Sequence, residues 1–167
     1  PAGRQPVRTV QTDESGRRKV YRFVREQMEQ GRQAYVVAPL IEESDKIEAK
    51  SAERLHRELK ELFADFRVAL VHGEMKQDEK DAIMKDFAAG SIDLLISTVV
   101  IEVGINVPNA SVMVIENSER FGLAQLHQLR GRVGRGEALS YCFLICQSDS
   151  ETAKERNRIM CRSSDGF

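Results

Sequence analysis

Short apolar runs alternate with amphipathic stretches along the chain, and this alternation restricts the fold more than any other feature. Ala34-Tyr35-Val36-Val37 is continuous apolar sequence ended by Pro39, the pattern of a strand buried on both faces. Residues 67–72, 92–96, 111–115 and 139–146 repeat it, and residues 6–11 form a weaker, alternating candidate. Between these runs the period changes. Val20, Phe23, Val24, Gln27 and Met28 recur at three and four up to Gly31; Ala52, Leu55, Leu59 and Leu62 form a second stripe; Ile83, Met84 and Phe87 form a third, closed by Gly90. These are amphipathic helices with glycine stops. Strands separated by helices predict the α/β class, with a mainly parallel central sheet covered on both faces. Ligands in such folds sit beyond the carboxyl ends of the strands, so the loops after Ala38, His72, Ile96 and Ile115 are where chemistry is expected.

At 167 residues the chain is about one domain, since domains run to roughly 150 residues. Its 41% hydrophobic and 31% charged residues exclude collagen-like or wholly disordered chains. Lys plus Arg number 25 against 26 Asp plus Glu, so net charge neither demands nor forbids a polyanionic partner. Glu53 with Arg57, Arg54 with Glu58 and Arg57 with Glu61 are four apart on the second helix, which reads as a solvated, ion-paired surface. Asp13 to Gly16 reads as a turn with capping candidates. The three cysteines, Cys142, Cys146 and Cys161, match no zinc spacing and read as reduced thiols of a cytosolic protein. No run of 18 apolar residues or signal peptide is present. A first residue that is not Met and an end in mid-pattern lead us to expect a piece of a longer polypeptide.

The sharpest motif is Gln128-Leu129-Arg130-Gly131-Arg132-Val133-Gly134-Arg135-Gly136. Each glycine in a helix interior costs about 1 kcal/mol against alanine, so helix stability did not select this stretch. Glycines permit close backbone approach to a ligand, and arginines offer planar forks for phosphate oxygens. A second candidate runs from Ile96 to Pro108, where an apolar strand ends in Ser97 and Thr98; these hydroxyls either bind a phosphate or cap the next helix, and taken alone capping is the better reading. The third is Val71-His72-Gly73-Glu74-Met75, where Gly73 allows backbone contact to a nucleic-acid phosphate or simply a tight turn, and His72 reads as packed or capping. Residues 112–116 are read as a core strand, although Glu116 faintly imitates a metal-binding carboxylate. The sequence holds no G-x-x-x-x-G-K-[ST] loop and no G-x-S-x-G elbow. Arginines suited to phosphate without a phosphate-holding loop suggest a domain that completes another domain's active site, as an arginine finger does.

These stretches carry a resemblance. Residues 128–135 are similar to motif VI of superfamily-two helicases, 96–108 to motif V, and 34–39 to the motif IV strand. The stretch from Ser97 to Gly136, with Glu119-Arg120-Phe121-Gly122-Leu123-Ala124-Gln125-Leu126-His127-Gln128, resembles the RecG family of bacterial DNA helicases; Gly3-Arg4 and Ser164 to Phe167 fit the same pattern. The transcription-repair coupling factor shares residues 119–130 closely, and His127 leans toward RecG. The resemblance implies the second RecA-like motor domain, a three-layer α/β/α unit, over residues 13–147. It further implies a lead-in from a preceding motor domain over 1–12 and the start of a following helical region over 148–167.

By the same resemblance ATP and Mg2+ would be held mainly by the first RecA-like domain, absent from this chain. Arg132, Arg135 and Gln128 would act at the terminal phosphates, with Glu102, Gly104, Asn106 and Gly131 completing the nucleotide contact. Ser97, Thr98, Gly73 and Pro39 would grip duplex or branched DNA. Asn106 stands where many relatives carry Asp, so a role needing negative charge there is in question. The activity implied is an ATP-dependent double-stranded DNA translocase of the bacterial cytoplasm, acting in fork reversal, Holliday junction branch migration, recombination and repair. The competing readings are the coupling factor's corresponding domain and a non-catalytic nucleic-acid-binding module.

Overall fold

The computed structural model describes residues 7–38, 45–98, 107–134, 136, 139–147 and 151–162, with backbone alone for 45–49. Among these, six strands form one sheet: β1 (Val7–Thr12), β2 (Gln33–Val37), β3 (Val68–Val71), β4 (Leu94–Ser97), β5 (Ala110–Ile115) and β6 (Ser140–Ile145). Their spatial order is β1-β6-β5-β2-β4-β3, and every pairing is parallel. Helices α1 (Arg17–Glu29), α2 (Asp45–Leu62), α3 (Gln77–Ala88), α4 (Leu123–Arg130) and α5 (Glu151–Arg162) cover its two faces. The α/β class expected from the alternation is the one observed.

The period of two along each strand explains why the strand sequences are apolar throughout. Ala34 and Val36 point to one face, where Val20, Val24 and Met28 of α1 and Ala52, Leu55 and Leu59 of α2 close over them. Tyr35 and Val37 point to the other, which receives Met84 and Phe87 of α3, Leu126 of α4 and Met160 of α5. Each large side chain fully withdrawn from water in this way contributes about 1.5–3 kcal/mol. The strand expected over residues 6–11 is β1, paired residue for residue with β6 from Val7 to Thr12. At its carboxyl end Asp13 accepts the Ser15 N–H at 3.0 Å and so caps the short 3-10 turn Glu14–Gly16 that leads into α1.

Three local expectations are corrected. Leu62, placed on the apolar stripe of α2, is 50% exposed, and Phe63 fills the core in its stead; the Phe63 N–H donates to the Leu59 carbonyl at 2.8 Å, so the last turn carries the four-residue spacing of Leu55 and Leu59 on to Phe63. The expected four-apart ion pairs on α2 are not made. Glu58 instead meets Arg17 at 2.7 Å and Glu53 meets His72 at 3.5 Å, because longer-range partners on α1 and after β3 lie within reach of the same carboxylates. And α4 is a helix where the sequence reading saw only a motif.

Parallel pairing also fixes where the loops lie. Every connection must return the chain to the amino edge of the sheet before the next strand begins. Ala38, Gly73, Thr98 and Glu116 therefore lie at the carboxyl edge, while Asn109 and Leu139, which precede β5 and β6, lie at the amino edge.

Candidate functional site

Helix α4 leaves the carboxyl edge after β5 through Asn117, whose φ of +50° turns the chain sharply, and a 3-10 turn over Ser118–Arg120. Gln125 reaches back to accept the Gly122 N–H at 3.0 Å, closing the helix start. At the other end Gly131 N–H donates to His127, Arg132 N–H to Leu129 at 3.0 Å and Val133 N–H to Arg130 at 3.2 Å. The chain thus leaves the helix in a tight turn that buries Val133 completely. Gly134 follows with φ +81°, a conformation that strongly favours glycine.

This arginine segment is not at the carboxyl edge, where chemistry was expected. It immediately precedes β6, which is parallel to β5, so α4 has carried it back toward the amino edge. Arg132 is half-buried and its charge reaches Tyr35 of β2, whose hydroxyl burial pushes up to about 12 against the opposing pull of Arg132. Gln128 is exposed on the last turn of α4 and Gly131 is half-buried at its end. Gly131 has right-handed backbone, φ −64°, and an added Cβ would meet only ordinary contacts at 3.4 and 3.5 Å. The fold itself does not demand glycine there. Arg135 lies outside the described residues.

Arg130 was missed by the sequence reading. It is fully buried, donating to Thr9 Oγ1 at 3.1 Å and to the Met160 carbonyl at 2.8 Å, so it ties α4 to β1 and α5. Its Nη2 lies 3.2 Å from His127 Nδ1. Burial, with the Arg130 charge, holds the His127 imidazole below its ordinary value, which keeps it neutral and leaves Nδ1 able to accept. A signal did exist: Arg130 stands four residues after Leu126 and seven after Leu123, on the apolar face.

At the carboxyl edge Ser97 and Thr98 are both buried, at 7% and 2% exposed. Thr98 N–H donates to the Val71 carbonyl at 3.3 Å, while its Oγ1 has no partner. Gly73 is exposed in the turn after β3. His72 accepts the Glu74 N–H at 3.1 Å on Nδ1, which is the capping role expected of it. Pro39, Glu102, Gly104 and Asn106 lie outside the described residues. Among the described residues, Ser97, Thr98 and Gly73 therefore lie at the carboxyl edge of the sheet and Gly131 and Arg132 toward the amino edge.

Between β2 and β5, whose following helices α2 and α4 pack on opposite faces, the fold has its switch point. Glu116 fills it. It is 2% exposed, with its N–H bonded to the Val37 carbonyl and its carboxylate held by Arg17 Nε at 2.9 Å and by the Tyr21 hydroxyl. Burial pushes the carboxyl above the ordinary glutamate value despite Tyr21 and Arg17. Burial and the Glu116 charge together raise the Tyr21 hydroxyl further still. The strand ending in Glu116 is thus core, and its carboxylate is committed to α1.

An all-parallel sheet in this order with helices on both faces is the RecA-like α/β fold of helicase C-terminal domains. The chain matches the helicase conserved C-terminal domain over residues 17–137 and belongs to that family. It is 54% identical over its whole length to the ATP-dependent DNA helicase RecG of Thermotoga maritima and 49% identical to that of Bacillus subtilis. It spans 22% and 25% of those proteins. The structure of RecG bound to a three-way DNA junction superposes with a TM-score of 0.83 at 49% identity, covering 100% of this chain and 22% of that one. A point variant of S. cerevisiae Dbp5 bound to RNA and ADP BeF3 shares the fold, with a TM-score of 0.67 at 18% identity over 97% of this chain and 39% of that one. The RecA-like architecture and the likeness to RecG are as the sequence motifs implied.

Proposed function

We propose that this chain is the second motor domain of a RecG-type, ATP-dependent double-stranded DNA translocase. The observation that supports it most is the gathering of Gln128, Gly131 and Arg132 at the end of α4 in a sequence with no phosphate-cradling loop. Such a segment serves a nucleotide held by another lobe, the first RecA-like domain of the same polypeptide. Arg132 and Arg135 would reach the terminal phosphates as negative charge develops there, Gln128 would help align them, and the small Gly131 leaves room for close approach. Glu102, Gly104 and Asn106 would complete that contact.

Water breaks the bond to the γ-phosphate, releasing ADP and inorganic phosphate. Bound Mg2+ would neutralise phosphate charge during that step. By the same reading the ion goes with the nucleotide on the first RecA-like domain, since this sequence carries no phosphate-cradling loop. Ser97, Thr98, Gly73 and Pro39 would hold duplex or branched DNA by its phosphates, which carry no sequence information. The unpartnered Thr98 Oγ1 supports this reading, since a buried hydroxyl without a partner is costly. The proposed roles are replication fork reversal, Holliday junction branch migration, recombination and repair in the bacterial cytoplasm.

The test is ATP turnover and ATP binding by the full-length protein carrying Arg132→Ala or Arg135→Ala. Turnover is expected to collapse with binding largely kept; unchanged turnover in both variants would sink the proposal.

A further inference from the structure

Gly136 closes the arginine segment and lies beside Pro108. Its constraint is contact. A Cβ on Gly136 would overlap the Pro108 carbonyl oxygen and fall 3.2 Å from its carbonyl carbon and 3.6 Å from its Cβ. The principal obstacle is backbone, which cannot swing aside as a side chain tip can. Pro108 is in turn fixed: Val107 is 2% exposed in the core, and its carbonyl accepts the Ala110 N–H at 3.0 Å as β5 begins. On the other side of Arg132, the helix end at Gly131 sets the backbone, and Val133 is fully buried in the same cluster as Val107.

Two pins therefore alternate with the two arginines. Val133 follows Arg132 and is sunk in the core; Gly136 follows Arg135 in sequence and is pressed on Pro108. We infer that Gly136, through its backbone contact with Pro108, is a positioning residue that sets the arginine-bearing loop in register for phosphate contact. This rests on the functional reading above.

The test uses the full-length polypeptide with Gly136→Ala. Turnover of ATP should fall roughly 100-fold, the loss expected when a catalytic group is displaced by about 1 Å. Affinity for ADP should stay within about twofold, while affinity for ADP with a planar metal fluoride, a transition-state mimic, should fall with turnover. A purely structural role would lower both affinities together along with the melting temperature, and that result overturns the inference, as does turnover within twofold of wild type. Should Gly136→Ala fail to fold, Pro108→Gly decides, since it loosens the partner without adding an atom. Selective loss of the mimic's affinity supports the inference, and unchanged affinity and turnover overturn it. Wild-type turnover in Arg132→Ala and Arg135→Ala would instead overturn the functional reading itself.

Discussion

Arg17, the first residue of α1, grips the buried carboxylate of Glu116 at the end of β5, 2.9 Å from Nε to Oε2, and with its Nη1 holds Glu58 of α2 at 2.7 Å. One guanidinium thus joins two helices and the central sheet at the switch point. Burial weakens its hold on the proton, but the Glu58 hydrogen bond and the Glu116 charge more than offset this, so it stays charged.

The Glu116 carboxyl gives a pH signature. Its folded-state pKa is raised above the ordinary glutamate value, so the native state holds the proton longer than the unfolded state does. Stability contributed by the protonated form is complete below the ordinary value and falls as pH rises through the window between the two. Glu116→Gln keeps the shape and cannot ionise. Chemical denaturation across that window should therefore show wild type losing stability relative to the variant as pH rises; parallel curves would show that the burial of this carboxyl carries no net proton linkage.

Arg130 holds Thr9 Oγ1 of β1 and the Met160 carbonyl of α5, and lysine cannot reproduce a planar fork. Arg130→Lys should destabilise the domain by about 3 kcal/mol, the scale of losing buried hydrogen bonds to a charged group. For a domain of this size that is a fall in Tm of roughly 6–12 °C. A melting curve superposable on wild type would contradict the geometry.

Thr98 allows fold and function to be separated. Its hydroxyl is buried without a partner, so Thr98→Val should leave stability within about 1 kcal/mol of wild type or slightly above it. DNA affinity of the full-length protein should nonetheless drop if a phosphate supplies the absent partner. Filter binding or anisotropy at several salt concentrations checks this, and the wild-type affinity itself should fall steeply with salt.

The isolated domain should turn over no ATP. In the full-length protein, Arg135→Ala should lower kcat by roughly a thousandfold, the scale of an arginine finger, with ATP binding measured by calorimetry little changed. Steady hydrolysis by the purified domain would show that its arginines serve a nucleotide it binds alone.

The strands and three of the helices could be read from period alone, because apolar runs of four to six residues have few alternatives to burial on both faces. Leu62 and Phe63 show where period is ambiguous: a helical stripe allows a step of three or of four after Leu59, and packing against the core selects Phe63. Helix α4 was hidden because its face toward the core includes Arg130, which hydropathy counts as solvent-facing. Its burial becomes intelligible only once Thr9, His127 and Met160, distant or polar in sequence, are brought around it.

The sequence by itself determined the α/β class, the parallel sheet and the chemical character of the arginine and hydroxyl segments, since these depend on residue type and local spacing. Only the tertiary structure decided that Ser97 and Thr98 lie at the opposite edge of the sheet from Arg132, that Glu116 is committed to Arg17 and Tyr21, and that Gly136 touches Pro108. Such relations depend on strand order and crossover path, which bring together residues tens of positions apart, and no local pattern encodes them.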